Sequence, residues 1–221
     1  MNFVQFSAFN QSNIFRKDFK EALKGTENGD LANCKYAIIW HLKEKLNSFG
    51  NLSESDKLLY LELNSANVKN LIGIEKYGNL KRLELHYCTK LENDIGLGAI
   101  KESLEFLHIN QSKKFHFTKE LLSLKKIKVL CLNACAPVDN LQFLKNFPEL
   151  IDFRFVNTNI LDGNLQPILD HPNIRTVGFL NKRYYSHKDE VIKSLLKNKF
   201  RDDYKLYVHK GKYSTFRYNF D

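Results

Sequence analysis

No apolar run in this chain approaches 18 residues, so no segment has the length and hydropathy of a membrane-spanning helix. The first ten residues, Met1 to Asn10, lack both a basic region and a continuous apolar core, so they do not read as a secretory signal. Cysteine is scarce. Four in 221 residues, without regular spacing, do not make a disulfide framework, which leads us to expect reduced thiols and a cytoplasmic protein. There is no G-x-S-x-G, no Gly-rich phosphate loop and no H-E-x-x-H. The sequence therefore assigns no catalytic residue, metal ligand or cofactor. What is present is ordinary for a folded chain: 43% hydrophobic and 27% charged residues, at a length that buries a sizeable core.

The formal net charge of +9 is unevenly placed, with +6 of it in residues 181–221. Residues 58–180 are close to neutral, so the whole chain is not built like a nucleic-acid binder.

The segment Leu80-Lys81-Arg82-Leu83-Glu84-Leu85-His86-Tyr87-Cys88 places apolar residues first, fourth and sixth, and a small residue ninth. The same pattern starts at Leu58, Leu80, Leu104, Ile127, Leu150 and Ile174, at intervals of 22, 24, 23, 23 and 24 residues. That motif at that period is the signature of a leucine-rich repeat. The ninth positions are Ala66, Cys88, Ser112, Cys135, Thr158 and Lys182, where the repeat usually has Asn, so the expectation is a less regular solenoid. Between the strands, apolar residues recur every three to four positions and stop at Pro or Gly (Val138, Leu141, Leu144, Phe147, then Pro148), which suits short 3₁₀ or helical turns. The pieces VDNLQFLKNFPEL and ILDGNLQPILDHPNI resemble the short-repeat bacterial leucine-rich repeats of the internalin-like kind. The resemblance covers about residues 58–182. It implies an α/β solenoid of about six repeats, with a curved parallel sheet on the concave face and short 3₁₀ or α segments on the convex face. It implies no reaction.

An array of repeats needs covers at its ends. Residues 1–57 are read as an N-terminal helical cap. Phe3, Phe6 and Phe9 open it. Ile14, Phe15, Phe19 and Leu23 follow helical spacing up to a stop at Gly25, and Leu31, Cys34, Ile38, Ile39, Leu42 and Leu46 predict an amphipathic helix from about Leu31 to Asn47. Trp40 is expected to pack within this cap. Residues 58–182 form the array. Residues 183–221 form a C-terminal cap, with a helix starting between Ser186 and Asp189. It ends in a basic hairpin in which Tyr204 to His209 and Lys212 to Phe220 flank a Lys210-Gly211 turn.

Strand side chains alternate faces. With positions one, four and six inward, three rows face out of the concave sheet. The first is Tyr60, Arg82, Phe106, Val129, Asp152 and Thr176. The second is Glu62, Glu84, His108, Cys131, Arg154 and Gly178. The third is Asn64, His86, Asn110, Asn133, Val156 and Leu180. Tyr60, Glu62, Asn64, Arg82, Glu84, His86, Phe106, His108, Asn110, Asn133, Asp152 and Arg154 are the expected contact set for a protein partner, since rigid rows of aromatic and charged groups suit interfaces. Exposed Phe106 and Val129 favour that reading over plain solvated strands, and Cys131 is expected exposed. His86 and His108 with Glu84 and Glu62 are the weaker catalytic or metal reading, because no nucleophile or further ligand is specified. A compact bacterial repeat protein of this kind also suits an immunity or inhibitor role, by analogy alone. The alternative is a nucleic-acid-associated protein using the basic aromatic tail (Tyr204, Lys205, Tyr207, Lys210, Lys212, Tyr213, Phe216, Arg217) to stack bases and neutralise phosphates.

Overall fold

A computed structural model describes residues 14–18, 31–43, 49, 50, 52–200, 209, 210, 216 and 217. Eight strands lie in one parallel sheet in sequence order. They are β1 (Ile14–Asp18), β2 (Tyr36–Trp40), β3 (Tyr60–Asn64), β4 (Arg82–His86), β5 (Phe106–Asn110), β6 (Val129–Asn133), β7 (Asp152–Arg154) and β8 (Thr176–Gly178). Pairing is in register throughout, so Tyr60, Arg82, Phe106, Val129, Asp152 and Thr176 stand side by side. The return segments carry 3₁₀ turns at Ile74–Tyr77, Leu97–Ile100, Leu121–Ser123 and Gln142–Asn146, and a short helix α1 (Gln166–Asp170). This is the leucine-rich repeat solenoid expected from the motif.

Each repeat buries its first, fourth and sixth positions, and all but the last, with Lys182, also bury the ninth. Leu80, Leu83, Leu85 and Cys88 are all fully buried, and so are Leu104, Leu107, Ile109 and Ser112. Toward the C-terminus the fill becomes aromatic: Phe155 stacks on Phe153 at 5.2 Å and on Phe179 at 5.0 Å. Helix α2 (Asp189–Lys199) buries Ile192 and Leu196 and leaves Val191 and Leu195 exposed. Asn181 Oδ1 accepts the Asp189 N–H, and Lys199 donates to the carbonyls of Leu169 and His171, so α2 is tied to the last repeats.

The turn out of each strand is a backbone device. The eighth position of the repeat takes a left-handed conformation at Ser65, Tyr87, Gln111, Ala134 and Asn157, as does His41 after β2, with φ between 50° and 60°. Its N–H reaches the next repeat: Ser65 to the carbonyl of His86 at 2.8 Å, Tyr87 to Asn110 at 2.9 Å and Gln111 to Asn133 at 2.9 Å. The turn thus repeats without the usual Asn. Thr158 shows what a polar ninth side chain adds, donating to the Leu132 carbonyl and accepting the Cys135 N–H.

Two expected helices are strands. Ile14–Asp18 pairs with β2, and β2 pairs with β3, both parallel. The inward positions around β2 are Cys34, Ala37, Ile39 and Leu42, spaced three, two and three. That spacing is one repeat, and it imitates the three-to-four spacing of a helical face. Tyr36, Ile38, Ile39 and Trp40 are also types that favour strands. Trp40 is not packed within a cap; it is 41% exposed at the end of β2. In the tail, β9 (His209–Lys210) and β10 (Phe216–Arg217) pair antiparallel as expected, but Lys210 belongs to a strand rather than to the turn. The aromatic opening, Leu23, the Gly25 stop, Leu46, and Tyr204, Lys205, Tyr207, Lys212 and Tyr213 lie outside the described residues.

Candidate functional site

The sheet register sets Glu62 beside Glu84, Glu84 beside His108, His108 beside Cys131, and Cys131 beside Arg154. Parallel strands lie only about 4.8 Å apart, so these side chains must satisfy one another or repel. They satisfy one another in two clusters.

The first cluster centres on Glu84. Arg82 donates to its Oε1 through Nε at 2.7 Å and also through Nη2. His86 Nε2 lies 2.9 Å from Oε2, and His108 Nδ1 3.5 Å from the same oxygen. The two imidazoles meet edge to face, with centroids 4.9 Å apart. The Arg82 guanidinium lies between the rings of Tyr60 and Phe106, 4.8 and 4.7 Å from their centroids. Tyr60 donates to Glu62, which also accepts from Asn64 Nδ2 at 2.8 Å. In the second cluster Arg154 donates to both carboxylate oxygens of Asp152, at 3.0 and 3.1 Å.

The partners fix the protonation pattern. Asn133 Oδ1 accepts the Val156 N–H at 2.9 Å, which turns its Nδ2 toward His108 Nε2 at 3.0 Å. His108 Nε2 is therefore an acceptor, and its proton sits on Nδ1, 3.5 Å from Glu84 Oε2. Burial pulls the imidazole down to about 4, outweighing the hydrogen bond to Glu84, so His108 is neutral at physiological pH. For Glu84, burial alone would raise the carboxyl, but the Arg82 charge and the two histidine hydrogen bonds hold it well below the usual range. Burial pushes Asp152 up to about 6 against the pull of Arg154. It also drives the Cys131 thiol far above its ordinary value, with Asp152 adding to the effect.

Glu84, His86 and His108 offer three ligand-type atoms within 4.8 Å of one another. The set does not fit a cation well. Arg82 occupies one carboxylate oxygen, and Asn133 holds the proton on the very nitrogen that would have to coordinate. Nor does the cluster hold a general base: each Glu84 oxygen already faces two nitrogen donors. Cys131 is a protonated thiol, not a nucleophile.

One expectation about this face is corrected. Phe106 (4% exposed), Val129 (1%) and Cys131 (0%) are buried, not exposed. So are Tyr60, Glu62, Asn64, Arg82, Glu84, His86, His108, Asn133 and Asp152, while Asn110 and Arg154 keep partial access. Sequence alternation tells which face a side chain leaves from; it does not tell whether that face meets water. Of the expected pairing of His86 and His108 with Glu84 and Glu62, the structure places both histidines at Glu84, whereas Glu62 takes Tyr60 and Asn64. Asn133 was singled out only as a contact residue, and its role in orienting His108 depends on a backbone N–H that no spacing reveals.

A scan against protein-family models and a search of curated proteins find no match. Among solved structures the chain is similar to an internalin, inlF, from Listeria monocytogenes, at 14% identity and a TM-score of 0.47, covering 71% of this chain and 54% of that one. It is also similar to internalin C2 from the same organism, at 19% identity and a TM-score of 0.42, covering 66% and 69%. The chain thus spans about half the length of the first.

Proposed function

We propose that the chain is a non-enzymatic repeat scaffold that binds a protein partner. The observation that carries this reading is the backbone lattice between repeats: loop residues are fixed to their neighbours by hydrogen bonds such as Glu92 N–H to the Lys69 carbonyl (2.9 Å) and His116 N–H to the Glu92 carbonyl (3.0 Å). Side chains leaving such loops are held at fixed spacing, so little ordering entropy is lost when a partner docks. The paired states of Glu84 and His108 and the burial of Cys131 support a structural role for the outward sheet rows, which fasten strand to strand. A repeat scaffold of this size acts on a partner by occupying it. That is the logic of an inhibitor or immunity protein, and adjacency of its gene to a toxin gene would support the finer assignment.

Photo-crosslinking from single exposed positions on different faces (Thr89, Lys101, Lys126, Asp162) in the native cell tests the reading. We expect one discrete protein adduct from neighbouring positions on one face. Absence of a protein adduct from every position contradicts it, as does a nucleic-acid adduct.

A further inference from the structure

We propose that the partner docks on the flank of the solenoid formed by the loops that follow β3, β4, β5 and β6, and that it presents an acidic segment with an apolar side chain at its centre. This rests on the protein-binding reading and gives it a surface and a chemistry.

The flank is continuous. Leu71 N–H bonds the Ile95 carbonyl at 2.7 Å, His116 N–H the Glu92 carbonyl at 3.0 Å, and Ala136 N–H the Phe115 carbonyl at 3.1 Å. Three features coincide on it. First, apolar groups are exposed: Ile72 and Tyr87 at 50% and Ile95 at 43%. Second, a depression of about 180 Å³ opens between the loops after β5 and β6, with Phe117, Pro137 and Val138 in its wall and Asp139 at its edge. It has room for one aliphatic or aromatic side chain. Third, Lys69, Lys90, Lys113 and Lys114 are exposed, and among the described residues their ammonium groups make no hydrogen bond or ion pair.

Many lysines elsewhere among the described residues are engaged. Lys57, Lys76, Lys81, Lys125, Lys126, Lys128, Lys193 and Lys199 each hold a carbonyl, an amide oxygen or a carboxylate. The flank's own acids mostly point inward. Asp94 accepts the N–H groups of Thr118 and Leu121, and Glu120 those of Gly96 and Gly98. Glu92 is half-buried. On the outer surface the lysines outnumber the one exposed carboxylate at the depression, Asp139.

Apolar anchors and a pocket within a ring of unpaired cations are the layout of a protein interface, where a few buried side chains carry affinity and rim charges guide the encounter. A nucleic acid would use Tyr87 and the lysines but has nothing to place against Ile72 and Ile95. A second copy of this chain, at net charge +9, is repelled from a basic flank.

The test uses the full chain and a short fluorescent peptide with one Phe flanked by Glu residues. A Gln-for-Glu version and an oligothymidylate of similar length serve as comparisons, all read by anisotropy. The account expects the acidic peptide to bind at least about tenfold more tightly than the Gln peptide. Lys90→Glu/Lys113→Glu/Lys114→Glu should weaken it by at least about tenfold, and Ala136→Phe, which fills the depression without changing charge, should also weaken it. Lys101→Glu/Lys126→Glu/Lys145→Glu should leave it unchanged, with all variants unfolding like the parent. Three outcomes overturn the proposal: no measurable binding of the acidic peptide, an equal loss in the second triple variant, or tighter binding of the oligothymidylate. If photo-crosslinking meanwhile yields a protein adduct from another face, this assignment falls and the scaffold reading stands.

Discussion

Glu84 lies buried on the sheet with a cation on one of its oxygens and two imidazoles on the other. Glu84→Gln preserves the shape but removes the negative charge that the buried Arg82 guanidinium faces, so unfolding in urea should show a loss of roughly 3–5 kcal/mol. A loss below about 1 kcal/mol, the scale of an exposed pair, would contradict the buried geometry. Two neighbours titrate in opposite senses. Asp152 is raised from 3.8 to about 6, so it holds its proton more tightly when folded, and its contribution is full at low pH and lost as pH rises through about 6. His108 is lowered from 6.5 to about 4, so its contribution is present above 6.5 and lost as pH falls toward about 4. The two offset each other in the parent. Asp152→Asn removes the first, and its unfolding free energy should climb with pH between about 4 and 6.5 more steeply than the parent's. His171, also lowered by burial, acts in the same sense in both proteins. Parallel curves would contradict the assignment. At this scale the sequence located the right residues by face and register, but pairing was beyond it. Glu84 had an arginine and two histidines within reach, and only the Val156–Asn133–His108 chain decides where the protons sit.

Between repeats, two elements clasp each other. The loop before Leu97–Ile100 sends Asp94 into the next repeat, where its carboxylate accepts the Thr118 N–H at 2.8 and 3.0 Å and the Leu121 N–H at 2.6 Å. Glu120 returns the favour to Gly96 and Gly98, at 2.7 and 3.1 Å. Asp94→Ala strands two N–H groups beneath the surface and should cost about 2 kcal/mol or more in thermal or urea unfolding. Gly96 sits at φ +102°, and a Cβ there would lie 2.3 Å from the Leu71 carbonyl oxygen. Gly96→Ala should therefore destabilise strongly, while Gly78→Ala, which meets nothing within 4 Å, should be neutral or slightly stabilising. Equal effects of the two would contradict the loop geometry. The strands from Leu58 onward were legible because Leu, Ile and Phe fill their inward positions. β2 was not, since Cys34-x-x-Ala37-x-Ile39-x-x-Leu42 carries small residues in two of those four places and lies on a helical period as well. The clasp was invisible, because an Asp in a polar loop carries no sign of what it caps.

As a whole molecule the chain is one ladder in which β2 and β3 are paired neighbours rather than parts of a cap and an array. A chain beginning at Leu58 would uncover β3, with Leu61 and Leu63 beside it, and should aggregate or lose its cooperative transition. A monodisperse, cooperatively unfolding product would contradict the continuity of the ladder. The central claim is that the outward rows from β3 to β6, Asn110 aside, are closed to solvent, and that the proposed binding surface lies on another face. Cys131 reports on it directly. It stands in the middle of those rows, whereas Cys88 and Cys135 face the core, and all three are buried. Thiol labelling of the native protein, followed by mass spectrometry of the individual cysteines, should find Cys131 modified no faster than Cys88 and Cys135, all three reacting only as the fold opens. Labelling of Cys131 well ahead of the other two would show an open concave face and contradict the account.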